Sequence, residues 1–232
     1  MRIQFASNLA DTARWVGDRG KQVNYATAVA LTRTAKRLTK MMEDEVRRVF
    51  DHPTNFTIRA FGSTPANKVT LTSTVFIKNK QADYLHPNIV GGRRGKKRFE
   101  KRLDDDTGVD AYWVPGQGVR LTAAGNLSMS QIRGIAAGLR KTGKYSEVFV
   151  GVPRGHANLP FGIWARGKGK TRRASGITPL LVKISDARYK PRFDYFGIAE
   201  KHAGRIFNEE FSRAYADALR SVRPISTQMI KH

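Results

Sequence analysis

Between Lys21 and Phe50 the apolar residues Ala28, Leu31, Ala35, Leu38, Met42, Val46 and Val49 recur at steps of three and four. That spacing places them on one face of a long helix. An apolar face of this length must be covered, so the rest of the chain has to supply the surface that covers it. Arg33, Lys36, Arg37, Lys40, Arg47 and Arg48 fall mostly on the other faces, and Asp51-His52-Pro53 ends the helix, because a residue preceding proline is pushed out of the α region. A second stripe, Ala199, Ala203, Phe207, Phe211, Ala214 and Ala218, predicts another long helix from about Phe193 to Val222, stopped by Pro224.

The segments between the two helices read as strands. Phe56–Phe61 and Val69–Lys78 are rich in Val, Ile, Thr and Phe and flank GSTPAN, the pattern of a hairpin with a longer loop. Ser146–Val152, Phe161–Arg166 and Ile177–Ser185 are three further strands, the last expected to begin late or lie at an edge because of Pro179. A short helix is expected from about Ser130 to Arg140, where Ser128 and Gln131 have the spacing at which each side chain bonds the other's backbone N–H. The expected fold is α+β: one domain over residues 1–232, with a mostly antiparallel β-sheet packed by two long α-helices.

Charge supplies the second constraint. The 232 residues hold 42 Lys and Arg against 19 Asp and Glu, a formal charge of +23, which points to a polyanion or an acidic protein surface as partner. Hydrophobic residues at 40% exclude a disordered basic tail. The absence of cysteine excludes disulfides, thiolate nucleophiles and cysteine-ligated zinc, and fits a reducing compartment. The N-terminal stretch lacks the continuous apolar core of a signal peptide, and no run of about 18 apolar residues is present, so a soluble protein made in a cytoplasm is expected, with no membrane partner.

Two segments concentrate the charge. In residues 86–108, Arg93, Arg94, Lys96, Lys97, Arg98, Lys101 and Arg102 precede Asp104, Asp105 and Asp106; in residues 166–176, Arg166, Lys168, Lys170, Arg172 and Arg173 lie among glycines and small polar residues. Both are expected as protruding loops or arms that bind nucleic-acid phosphates or partner proteins. Catalysis finds no pattern. His52, His86, His156, His202 and His232 fall in no metal-ligand spacing, adjacent carboxylates at 104–106 diverge on an extended segment, and neither a phosphate-cradling GxxxxGK[ST] loop nor a GxSxG elbow occurs. No enzymatic activity, cofactor or metal is expected.

The long Ala- and Thr-rich first helix (YATAVALTRTAKRLTK), the Lys/Arg-rich middle, the phrase LTAAGNLSMSQI, then FGIWAR, a basic turn, ITPLLVKI and a terminal helix with Phe207 and Phe211 four apart together resemble a phage tail-completion or neck protein, of the kind represented by the minor tail protein Z family. The resemblance runs from about Val23 to Ser221 and rests on the order and texture of these segments. It implies a structural virion protein of the head–tail junction: a homo-oligomeric ring around the DNA channel, made in the host cytoplasm, touching portal or adaptor proteins, tail tube or terminator proteins, and genomic DNA phosphates. It brings no catalytic residues. The alternative reading is a sequence-independent nucleic-acid-binding protein, for which aromatics interleaved with the basic residues would be expected; Phe99 is the only aromatic in the first basic block, and Trp164 precedes the second.

Overall fold

The computed structural model describes residues 1–6, 18–141, 147–167 and 176–221. Its helices and antiparallel sheets make the fold α+β, as the periodicities require. The backbone divides into two compact units where one domain was expected: residues 1–89 and 191–232 form the first, and residues 90–190, inserted between them in sequence, form the second.

The first unit contains β1 (Arg2–Ala6), α1 (Asp18–Val49), α2 (Asn55–Ile58), β2 (Phe61–Thr64), β3 (Thr72–Ile77), α3 (Asn79–Val90, the unit closing at Ile89) and α6 (Tyr195–Ser221). Its sheet has the order β1-β3-β2 and is antiparallel throughout, with Val75 opposite Ile3 on one side and Ser63 on the other. The stripe on α1 does what its period demands: Ala35, Leu38, Met42 and Val46 are buried in one cluster with Phe61, Val75 and Ile77 of the sheet, Tyr195 and Ile206 of the C-terminal helix, and Phe193 just before it. Tyr195 is fully buried, its hydroxyl donates to the Val75 carbonyl at 3.1 Å, and burial pushes its phenol pKa up. Along the α1–α6 seam the Arg37 guanidinium donates to Glu209 and to Glu210, each at 2.9 Å.

The second unit contains β4 (Gly92–Arg93), α4 (Arg98–Thr107), β5 (Tyr112–Pro115), α5 (Met129–Arg140), β6 (Val148–Gly151), β7 (Gly162–Arg166), β8 (Ile177–Ile184) and β9 (Arg188–Tyr189). Four strands form an antiparallel sheet of order β5-β8-β7-β6, and β4 pairs with β9 where the chain enters and leaves the unit. Leu103 of α4, Ile135 of α5, Trp113, Ile163 and Leu181 form a separate core. Helix α5 begins as the spacing predicts: the Gln131 N–H donates to Ser128 Oγ and the Ser128 N–H to Gln131 Oε1, both at 3.3 Å.

Three local expectations are corrected. Phe56–Phe61 is not a strand: Thr54 Oγ1 accepts the Thr57 N–H at 3.2 Å and starts the short helix α2, so the strand begins only at Phe61. Strand β8 is central, not an edge; its register against β7 shifts so that Trp164 faces Pro179 while Ile163 faces Leu181, and this irregularity accommodates the proline that a regular central strand would reject. The segment 86–108 is no protruding arm, because α3, β4 and α4 run through it and Leu103 is buried. Strand β1, helix α3 and strand β5 are elements that the sequence pattern did not reveal.

Candidate docking surface

A carboxylate organises the first basic block. Glu100, at the third position of α4, is fully buried and accepts four hydrogen bonds: Arg94 Nη1 and Nη2 at 2.6 Å each, the Lys97 N–H at 2.7 Å and the Trp113 N–H at 3.1 Å. Burial alone would raise its pKa, but the bonds from Arg94 and the two backbone N–H groups outweigh it and hold the carboxyl below its usual range. Arg94, 9% exposed, is correspondingly raised by its bonds to Glu100. It also lies over the Tyr112 ring, 5.0 Å from the centroid, and the Tyr112 hydroxyl donates to the Arg94 carbonyl.

The expected cations therefore separate by role. Arg94 is a core residue. Lys96 is paired with Asp104 and Asp110, and that contact holds the Asp110 carboxyl below its usual range. Arg93 Nε meets Asp186 at 2.9 Å and its Nη2 donates to the Ser185 carbonyl. Lys97 gives its backbone N–H to Glu100 and places its ammonium 5.9 Å from the Phe99 ring centroid. Arg98, Lys101 and Arg102 are exposed on α4, and among the described residues none has an ion-pair partner. Arg166, at the end of β7, packs its guanidinium 4.6 Å from the Phe149 ring centroid. Lys168, Lys170, Arg172 and Arg173 lie outside the described residues.

Helix α4 carries its charges in the order its dipole disfavours. Arg98, Lys101 and Arg102 crowd the N-terminal turns, Asp104, Asp105 and Asp106 the C-terminal ones, and the last turn holds no cation. Each misplaced charge costs about 0.3–1 kcal/mol when exposed. The acids find local relief: Asp104 in Lys96, and Asp106 in Arg140 of α5, whose Nε and Nη2 donate at 3.0 and 3.2 Å. The cations at the N-terminal end find none among the described residues. A local rule broken without compensation among the described residues is the pattern expected of a functional face.

Beside these cations a groove of about 620 Å³ opens between α4 and α5. Arg98 and Arg102, four apart on α4, stand along one wall, and Arg133 and Arg140 of α5 along the other. Between them the lining is apolar: Phe99, Met129, Ile132, Ala136 and Ala137. Met129 is 62% exposed and extends the apolar surface of the groove. Arg133, Arg140 and Met129 escaped the sequence reading, although the capping box at Ser128 fixes the phase of α5 and so places residues 129, 133, 136 and 140 on one face.

Among the described residues no group of three or more His, Asp or Glu is placed to hold a metal ion, and no helix is long and apolar enough to cross a membrane. No protein-family model, curated protein or solved structure matches the chain.

Proposed function

We propose that the chain is a non-enzymatic structural subunit of a phage head–tail junction, a tail-completion, neck or terminator-like ring protein that joins connector and tail around the DNA channel. The observation that carries this reading is the fate of the charge. Acids throughout both units are committed to cations of the same chain, as in Glu45 with Arg48, Glu209 and Glu210 with Arg37, Glu100 with Arg94 and Asp106 with Arg140. The surplus of +23 is left over from that pairing and is available to other molecules. The likeness to the minor tail protein Z family supports the particular assembly, and segments that carry it fall, in chain order, on α1, the cap and start of α5, β7, β8 and α6.

In this reading the subunit closes a homo-oligomeric ring in the virion, assembled in the host cytoplasm, with portal or adaptor proteins on one side and tail tube or terminator proteins on the other. Exposed cations that face the channel meet DNA phosphates without reading sequence. The test is genetic and compositional. A stop codon early in the gene is expected to yield separate filled heads and finished tails, and antiserum to the chain is expected to label gradient-purified particles at the junction. Absence of the chain from purified particles overturns the proposal.

A further inference from the structure

We infer that the groove between α4 and α5 receives an acidic amphipathic helix from a partner protein. This deepens the junction reading by giving the chemistry of one neighbour, and it rests on that reading only for where the neighbour is found.

The argument starts from the floor. Phosphates need cations and water, and gain nothing from Phe99, Met129 and Ile132. A helix with apolar residues four apart on one face covers such a floor as partner helices cover apolar grooves elsewhere. The walls then choose its charge. Arg98, Arg102 and Arg133 have no acid partner among the described residues, while Arg140 is already held by Asp106. An occupant with Asp or Glu flanking its apolar residues relieves three unopposed cations, of which Arg98 also sits in the first turn of α4, where the dipole disfavours it. A second copy of this chain is a poor candidate, since its own net charge is +23 and many of its acids are engaged. The walls, helices of 10 and 12 residues, span about 15–18 Å, which matches roughly three turns of guest helix.

The opposite side of α5 is already used, which leaves this face for a guest. Ile135 is buried in the core of the second unit, and Gly138 lies against Val148, where an added Cβ would come within 2.6 Å of the valine Cγ2. The host helix is thus fixed against its sheet before any partner arrives, and binding has no order to impose on it.

The experiment uses the full chain and three labelled probes: a glutamate-rich helical peptide of about 14 residues carrying two leucines four apart, the same peptide with both leucines replaced by serine, and a short DNA duplex. The leucine peptide is expected to bind at least about tenfold more tightly than the serine peptide. Arg133→Glu is expected to weaken the leucine peptide about tenfold or more, whereas Lys101→Glu, the same charge change on α4 outside the groove, is expected to weaken it several-fold less. Both substitutions fall on exposed side chains, and unchanged circular dichroism checks that the fold is kept. Equal binding of the two peptides overturns the inference, and so does equal damage from the two substitutions. Tightest binding to the duplex, with both substitutions equally harmful, assigns the surface to nucleic acid instead. None of these outcomes bears on whether the chain is found in particles, so failure of the groove and failure of the junction reading are separable.

Discussion

Replacing Glu100 by Gln removes the charge around which the second unit's basic segment is built. The amide keeps the volume but turns an N–H₂ toward a guanidinium that now has no anion, and Arg94 at 9% exposure cannot recover its hydration. Breaking a buried ion pair from one side costs about 3–5 kcal/mol. Typical domain stability is about 5–15 kcal/mol, so about a fifth or more of it is at stake and the unit's melting midpoint should fall by about 12 °C or more. Trp113 and Trp164 both lie in this unit, so tryptophan fluorescence in a Trp15→Phe background follows its unfolding. Removing both charges, with Arg94→Met and Glu100→Leu, should recover part of the loss but not all, because the Trp113 N–H stays buried without an acceptor at about 1–3 kcal/mol. The pH dependence has a definite sign. Glu100 is held below its usual range in the fold, so the unfolded chain binds more protons there. The stability it contributes is complete above the unfolded value of about 4.3 and is lost as pH falls through the folded one. The Glu100→Gln protein should therefore lose less stability than the parent between pH 7 and pH 3. A substitution cost below about 1 kcal/mol, or an unchanged acid profile, would refute the assignment of Glu100 as the organising residue.

Three further outcomes are expected. Arg37→Ala should speed amide exchange in both α1 and α6, since one guanidinium joins Glu209 and Glu210 to α1; Glu209 is held low chiefly by Arg37, so the parent's protection should fall as pH drops through that carboxyl's folded value and the variant's should fall less. Gly138→Ala should destabilise the second unit by about 1–3 kcal/mol and be rescued by Val148→Ala, whereas Gly116→Ala should find no such rescue, because its Cβ would lie 2.3 Å from the Pro179 carbonyl oxygen on the backbone. If the second basic segment meets duplex DNA, Arg172→Ala with Arg173→Ala should weaken binding evenly across sequences and flatten the log affinity against log salt slope by up to about two; an unchanged slope with heads and tails that fail to join would make that segment a protein-docking element.

Periodicity made the long elements legible because their burial is one-sided. The α1 stripe faces a sheet and a second helix, so its apolar positions repeat every three to four residues, and the same holds for α6. Where burial is achieved by other means the pattern fails. Helix α3 carries Pro87 within it and buries Gln81 and Asn88; the Asn88 side chain donates to the Tyr84 carbonyl and accepts from Arg192, so polar residues occupy positions that a stripe would fill with apolar ones. Strand β5 is only four residues long and ends in a proline, too short for alternation to register. The strand expected at Phe56 fails because Phe and Ile count as strand formers until Thr54 is recognised as a helix cap.

The basic block misled for a related reason. A run of seven cations in ten residues looks solvated because charge is normally exposed, and the one acid within it, Glu100, looks like incidental relief. Its position decides otherwise. Glu100 sits three residues after Lys97, where a carboxylate can accept the backbone N–H that opens a helix, and six residues after Arg94, close enough for the chain to fold back and deliver the guanidinium. Once Glu100 is buried, Leu103, three residues on, faces the same core, and Arg98, Lys101 and Arg102 are turned outward by helical geometry alone. The segment is thereby divided into residues that build the fold and residues that face a partner. A charge-dense segment containing a single acid at the third helical position is better read as a helix with one functional face than as an arm.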